Sequence, residues 1–261
     1  MKNKLHIVSL SGGIGSFIEL CLVKETFGVE NTLALFADVK MEDPDLYRFL
    51  KDSIAYVGCK FELIADGRDP WQVFNDVKFL GSSRFDPCSK ILKRVLIRKH
   101  ILKNYNPQEI EMHIGIDYNE KHRLEGVKKK NPDLVYRSLQ VEKKYMLTYD
   151  EKIKFVESKN IKVPFLYTIG MSHNNCGGFC VKAGLAQFEK LYRLLPDRYE
   201  WHVQRERELR KNVPRAKPFL KKMIKGKVYY LWLEDYREML RQGEKLNSEE
   251  KYDFGGCACG I

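Results

Sequence analysis

The sequence predicts a parallel α/β sheet with helices on both faces, followed by a helical extension that carries cysteines. Three observations point there. The apolar run Leu5, Ile7, Val8 and Leu10 stops at Ser11-Gly12-Gly13, and Phe17, Leu20, Cys21, Val23 and Phe27 then recur at helical spacing up to Gly28. Two more apolar runs, NTLALFADVK and CKFELIADGRD, flank a helix-length amphipathic stretch, the alternation of a parallel sheet. Past residue 171 the chain holds two close cysteine pairs, Cys176/Cys180 and Cys257/Cys259.

Taken in order, the first run reads as a buried strand, a glycine turn and a helix. Such a turn leaves N–H groups unpaired at the positive end of the helix dipole, an anion site. Gly12 and Gly13 let the backbone approach a phosphate, and Ser11 and Ser16 add hydroxyls. A plain strand-to-helix turn is the alternative. The second strand ends on Asp38. MEDPDLYRFLKDSIAYVG is a helix with Pro44 near its start and Leu46, Phe49, Leu50, Ile54 and Val57 on one face. The third strand ends near Asp66. Parallel sheets bind ligands at the carboxyl ends of their strands, so Asp38 and Asp66 are candidates for a ribose or adenine contact, with capping or plain solvation as the alternative.

Residues 67–87 read as irregular, a candidate flap. DPCSKILKRVLIRKHILKNY is a basic helix with Cys88 at its N-terminus, where the dipole favours a thiolate; a small buried residue is the other reading. EIEMHIGIDYNE is the fourth strand, leaving through Gly115-Ile116-Asp117 towards Glu120, His122 and Arg123. Thr148 caps the helix EKIKFVESKN, PFLYTIG reads as extended, and the turn MSHNNCGGFC comes after it. VKAGLAQFEKLYRLLPDRYEWHVQRERELRKN reads as helical, and YYLWLEDYREMLRQG as a core strand or helix.

A chain of 261 residues can bury one large core, or one core with an appendage. No apolar run approaches the roughly 18 to 20 residues of a membrane helix, and the N-terminal apolar stretch is too short for a signal peptide. A cytoplasmic protein with no membrane contact is expected. The net charge of +11 favours an anionic partner, although a merely solvated basic surface has the same composition. Residues 205–227 are densely basic, with Phe219, Tyr229, Tyr230, Trp232 and Tyr236 nearby, a pattern that suits nucleic acid or a charged helix over an aromatic core. In a reducing compartment, paired cysteines point to metal or redox chemistry. Cys176, Cys180, Cys257 and Cys259 supply four thiolates, a full set for zinc or an iron–sulfur cluster. A redox dithiol on the tail, or a cluster joining Cys88 to the first pair, are the rivals.

The glycine turn lacks the lysine of the common ATPase phosphate loop. Ser11, Gly12, Gly13 and Ser16 instead resemble the S-G-G-x-x-S loop of the PP-loop ATP pyrophosphatases. Gly115, Ile116, Glu120 and Arg123 resemble the G-I-x-x-x-E-x-x-R strand end of the phosphoadenosine-phosphosulfate reductase-like branch. Iron–sulfur members of that branch carry cysteine at positions like Cys88, Cys176 and Cys180, but with two adjacent cysteines at the first position and a pair one residue closer. The tail Cys259-Gly260 faintly resembles that branch's C-terminal nucleophile.

The resemblance spans roughly residues 5–190. It implies a Rossmann-like, HUP-type fold, with a nucleotide-binding domain over 1–170 and a basic helical region over 171–261 whose cysteines close a metal site. It implies that ATP, with Mg²⁺, is cleaved to AMP and pyrophosphate. Ser9, Ser11, Gly12, Gly13, Gly15, Ser16, Asp38, Gly115 and Glu120 would line the nucleotide. Ser11, Ser16, Arg123 and Cys88 are the catalytic candidates, Arg123 because its planar fork grips phosphate or sulfate, unless it pairs with Glu120. Zn²⁺ or a [4Fe–4S] cluster would sit on the four paired cysteines. The first functional expectation is adenylylation of a nucleobase or nucleic acid for sulfur or nitrogen insertion, with a sulfur-donor protein as a partner. A sulfonucleotide reductase and a non-catalytic nucleotide-binding or nucleic-acid-binding protein are the alternatives.

Overall fold

The computed structural model describes residues 4–82, 85–224 and 226–247. Its centre is a parallel sheet of β1 (Leu5–Leu10), β2 (Thr32–Asp38), β3 (Lys60–Ala65), β4 (Ile110–Ile114) and β5 (Tyr136–Arg137), in the order β3-β2-β1-β4-β5. Side chains alternate across its faces. Val8, Leu10, Ala34 and Phe36 pack under α1 (Ile14–Phe27), α2 (Pro44–Val57) and α7 (Tyr149–Ser158), while Ile7, Leu33, Leu35 and Ala37 pack against Ile97 and Ile101 of α5 (Leu96–Asn104). Helices thus cover both faces, and the α/β, Rossmann-like architecture expected from the sequence is present. β1 and β2 are buried almost throughout, whereas the edge strand β3 is half-exposed. This explains why the first two read as continuous apolar runs.

Local signals account for most helix ends. Asp43 caps α2 by accepting the Asp45 N–H at 2.9 Å, with Pro44 in the first turn. Thr148 and Glu151 form a capping box at α7. α6 (Lys121–Lys130) ends in an exposed run of three lysines. The basic helix from Pro87 begins as α4 (Pro87–Ser89) and passes through a π-helical stretch, Lys90–Val95, before α5.

A second core lies beyond the sheet. Its aromatic centre is Phe179 of the cysteine turn, Phe188 of α9 (Leu185–Leu194), Tyr199 of α10 (Pro196–Asn212), Phe219 just before the hairpin β6 (Leu220–Ile224)/β7 (Lys227–Leu231), and Tyr236 of α11 (Leu233–Arg241). Trp71, Phe74, Leu80 and Leu166 join it from earlier in the chain. Among the described residues, no helix is long and apolar enough to cross a membrane.

The structure departs from the sequence reading in four places. Residues 67–87 are not wholly irregular: α3 (Pro70–Asp76) starts with an Asp69/Gln72 capping box and Pro70, and buries Trp71 and Phe74. The proline that looks like a breaker is a helix opener there. PFLYTIG contains a one-turn helix, α8 (Phe165–Thr168), rather than an extended segment. The long C-terminal helix is broken at Leu195-Pro196, because the proline imide cannot continue the helix before it. Part of the 205–227 stretch is strand, turned at Gly226 with φ +75.

Glu206 of α10 is buried between these C-terminal elements. One oxygen accepts the Leu233 N–H at 2.8 Å and the other has no partner. Burial pushes its carboxyl up to about 8, outweighing that hydrogen bond. The ordinary value is 4.5, so between the two the folded chain holds a proton that the unfolded chain has released. Stability therefore falls as pH rises through that window, by at most about 1.4 kcal/mol per pH unit from this group. Glu206→Gln is expected to remove this slope, which denaturant midpoints at about pH 5 and about pH 8 would show; an unchanged slope would exclude Glu206 as its source.

Candidate functional site

β1 has β2 on one side and β4 on the other, although the chain visits β2 and β3 before β4. The topological switch, where open α/β sheets take their ligands, therefore lies between β1 and β4 at their carboxyl ends. The Ser11–Ser16 turn occupies that place. Gly12 takes φ +75, and a Cβ there would strike the Leu46 side chain at 2.4 Å. Ser16 Oγ donates to the Gly13 carbonyl at 2.8 Å and accepts the Ser11 N–H at 3.1 Å, with Ser11 Oγ 3.2 Å away. The two serines thus brace the turn from inside. No side chain caps α1 and its first turn carries no acid. The backbone geometry of this helix start therefore suits an anion.

Gly115, leaving β4, lies directly on this helix start. A Cβ on Gly115 would come within 2.7 Å of the Gly15 carbonyl carbon and oxygen and 2.8 Å of the Ser16 nitrogen. Gln140 Nε2 donates to the Gly15 carbonyl at 2.9 Å. Ser9 lies inside β1, in register with Leu35 and Ile114.

Asp38 sits at the carboxyl end of β2, almost fully buried. It accepts the Lys40 N–H at 2.8 Å and the Tyr47 hydroxyl at 2.8 Å, and pairs with Lys40 Nζ at 2.9 Å. Burial alone would raise its carboxyl, but these bonds together hold it below the ordinary carboxylate value. Burial and the Asp38 carboxylate push the Tyr47 phenol up, so it stays a donor. Asp66 instead pairs with Arg68 at 2.6 Å. Arg123 is bonded to Glu120 in an ion pair one helical turn long.

The cysteine turn lies across from the loop. Asn174, buried, donates through Nδ2 to the Gly12 carbonyl at 2.7 Å, and its Oδ1 has no partner. Cys176 takes φ +51, uncommon for a residue with a Cβ, and its N–H donates to Glu42. Arg198 bridges the Gly177 carbonyl and Asp43, each at 2.8 Å. Cys176 is buried among Val39, Val73 and Leu92, and Cys88 packs against the same small cluster. Cys88 and Cys176 are therefore brought to one region, but among the described residues Cys88, Cys176 and Cys180 do not converge as a set of three ligands. Cys180 is half-buried. Cys257 and Cys259 lie outside the described residues, as does Lys225.

Part of the basic stretch is tied to acids: Arg207 and Arg210 to Glu234, Arg205 to Glu208 at 3.0 Å, and Lys222 to Glu244 at 2.5 Å. Phe219 and Tyr236 belong to the core. Tyr229 and Tyr230 stand exposed on β7, with Lys221 5.9 Å from the Tyr230 ring.

Sequence reasoning missed three residues here. Asn174 carries no motif signal. Gln140 sits in a short 3₁₀ turn, Leu139–Val141, and is placed only by tertiary contact. Glu19, on the buried side of α1, looks like an ordinary solvated helix acid. It is fully buried and accepts the Leu139 N–H at 2.8 Å, the Gln140 side chain at 3.1 Å and the Ser138 hydroxyl at 3.3 Å. Gly115→Ala should displace the start of α1 and destabilise the protein by about 1–3 kcal/mol, read as a lower denaturant midpoint; no change would mean that the two backbones are not in contact.

No protein-family model matches the chain, and no curated protein matches it in sequence. Among solved structures, the chain is similar to the U34-tRNA thiolase NcsA from Methanococcus maripaludis, which carries a [4Fe–4S] cluster. Identity is 16%, with 82% of this chain and 73% of that one covered and a TM-score of 0.46. It is also similar to the NH3-dependent NAD synthetase from Campylobacter jejuni subsp. jejuni in complex with nitrate, at 13% identity, 82% and 86% coverage and a TM-score of 0.36. At this level the likeness is one of chain course alone.

Proposed function

We propose that the chain is an ATP-dependent adenylylating enzyme of the PP-loop superfamily, acting on a nucleobase or nucleic acid to exchange oxygen for sulfur or nitrogen. The observation that carries this reading is the uncapped start of α1, braced by Ser11 and Ser16 at the switch between β1 and β4. MgATP is the substrate. The turn amides, with Ser11, Gly12, Gly13 and Ser16, hold the β and γ phosphates, so that pyrophosphate leaves already stabilised. The acceptor oxygen attacks the α phosphorus, the bond to the β-bridging oxygen breaks, and AMP passes to the acceptor. Positioning does most of this work. Asp38 fixes Lys40 and Tyr47 where the nucleoside meets the end of β2. Arg123 exchanges Glu120 for a phosphate oxygen.

Cys176 and Cys180, with Cys257 and Cys259, are the proposed holders of Zn²⁺ or a [4Fe–4S] cluster, with Cys88 as a rival ligand or reactive thiol. The donor chemistry fits: Cys176 and Cys88 meet at one apolar cluster, and Gly177 and Gly178 take positive φ, so the chain can wrap a metal. Such a group supplies either a structural clamp or, as a cluster, a site for sulfur handed over by a donor protein. The exposed Tyr229 and Tyr230 beside Lys221 support a nucleic-acid substrate by stacking and charge.

Purified chain with MgATP and bulk tRNA should release pyrophosphate, and Ser16→Ala should lower the rate at least about tenfold. ATP binding without pyrophosphate release under these conditions would leave only a binding protein. Reduction of a sulfonucleotide, abolished by Cys259→Ser, would make it a reductase. Anaerobic purification is expected to retain metal that Cys176→Ser loses; full retention in that variant would exclude Cys176 as a ligand.

A further inference from the structure

At the opposite end of the sheet from the loop, three metal-ligating side chains meet in the interior. His6 of β1 and Glu111 of β4 are register partners, and His113 lies two residues further on β4, so all three point to the face under α1. All are buried. His6 Nδ1 lies 3.1 Å from His113 Nε2 and 3.8 Å from Glu111 Oε2, and one donor atom from each residue lies within 4.8 Å of the other two. Tetrahedral zinc with bonds of about 2.0–2.1 Å sets its ligand atoms about 3.3 Å apart. The observed separations bracket that value. We propose that His6, Glu111 and His113 form a binding site for a divalent transition metal, zinc foremost.

The surroundings suit such a site. Glu19 accepts from His113 Nδ1 at 3.2 Å. A carboxylate only accepts, so the His113 proton is on Nδ1 and its Nε2 lone pair faces His6. This carboxylate–histidine arrangement is the usual backing of a metal-bound imidazole. Arg137 Nε, at 2.8 Å, and Lys4 Nζ, at 3.1 Å, hold Glu111 from the rim, where both heads reach solvent. Phe27 stacks on His6 with centroids 3.6 Å apart and closes the site on the helix side. Without metal, His6 donates its Nδ1 proton to His113. With metal, the His6 proton moves to Nε2 and both lone pairs face the ion, so no proton need be lost. The ion would clasp β1 to β4 about 13 Å along the strand from the loop. No step of the proposed reaction passes through it.

The test uses the untagged full chain carrying Cys176→Ser and Cys180→Ser, stripped with chelator and titrated with Zn²⁺ and with Co²⁺. One ion per chain, a rise in melting temperature, and cobalt bands without thiolate charge transfer are expected. Adding His113→Gln or Glu111→Gln should weaken binding at least tenfold, with circular dichroism confirming the fold. Should those variants not fold, X-ray absorption of the zinc-loaded parent decides: imidazole and oxygen neighbours support the site. No binding, sulfur-only ligation, or unchanged affinity in both variants overturns it, leaving the two imidazoles as a hydrogen-bonded pair. None of these readings depends on ATP turnover.

Discussion

The carboxylate of Glu19 is the interaction on which the rest of the sheet's geometry depends. It is buried without a lysine or arginine partner among its described contacts, and hydrogen-bond donors from two parts of the chain surround it. His113 ties it to β4, and Ser138, Leu139 and Gln140 tie it to the segment after β5. A buried carboxylate costs several kcal/mol unless its lone pairs are filled, so these partners are held to their places. Gln140 in turn bonds the Gly15 carbonyl, and Ser138 bonds the Ile116 carbonyl at 3.0 Å. Through these links the middle of α1 sets both the start of α1 and the exit of β4.

That exit matters because Gly115 and Gly15 approach backbone to backbone. The loop is therefore pinned on three sides: Gly115 behind, Gln140 beside, and Asn174 above through the Gly12 carbonyl. Its serines are turned inward to each other. A rigid, uncapped helix start can meet charge developing on a leaving phosphate without reorganising. The cysteine turn is anchored to the same rim by Arg198, Asp43 and Glu42, so Cys176 sits beside the loop rather than on a remote appendage.

Much of the fold was legible because its signals are local. The apolar runs of β1 and β2 reflect burial on both faces, and the turn after β1 shows its glycines and serines directly. Arg123 and Cys88 were legible only as alternatives. The structure pairs Arg123 with Glu120, the i,i+3 alternative that their spacing offered, and sets Cys88 against the cluster around Cys176, a contact that no spacing encodes. α3 was missed because Pro70 and Gly67 weigh as breakers until the Asp69/Gln72 box is seen. The broken helix at Pro196 and the β6/β7 hairpin reflect the same difficulty. A basic, amphipathic stretch satisfies helix and strand patterns alike until a neighbouring core selects one.

The sequence by itself determined the alternation of strands and helices, the place of the glycine–serine turn, and the thiols available, because backbone propensity and burial leave periodic traces along the chain. Only the tertiary structure decided that Glu19 is a buried hub, that Asn174 and Gln140 brace the turn, and that His6, Glu111 and His113 meet. Those residues are separated by up to 162 positions from what they touch, and a polar side chain reads the same in sequence whether it faces water or a buried partner.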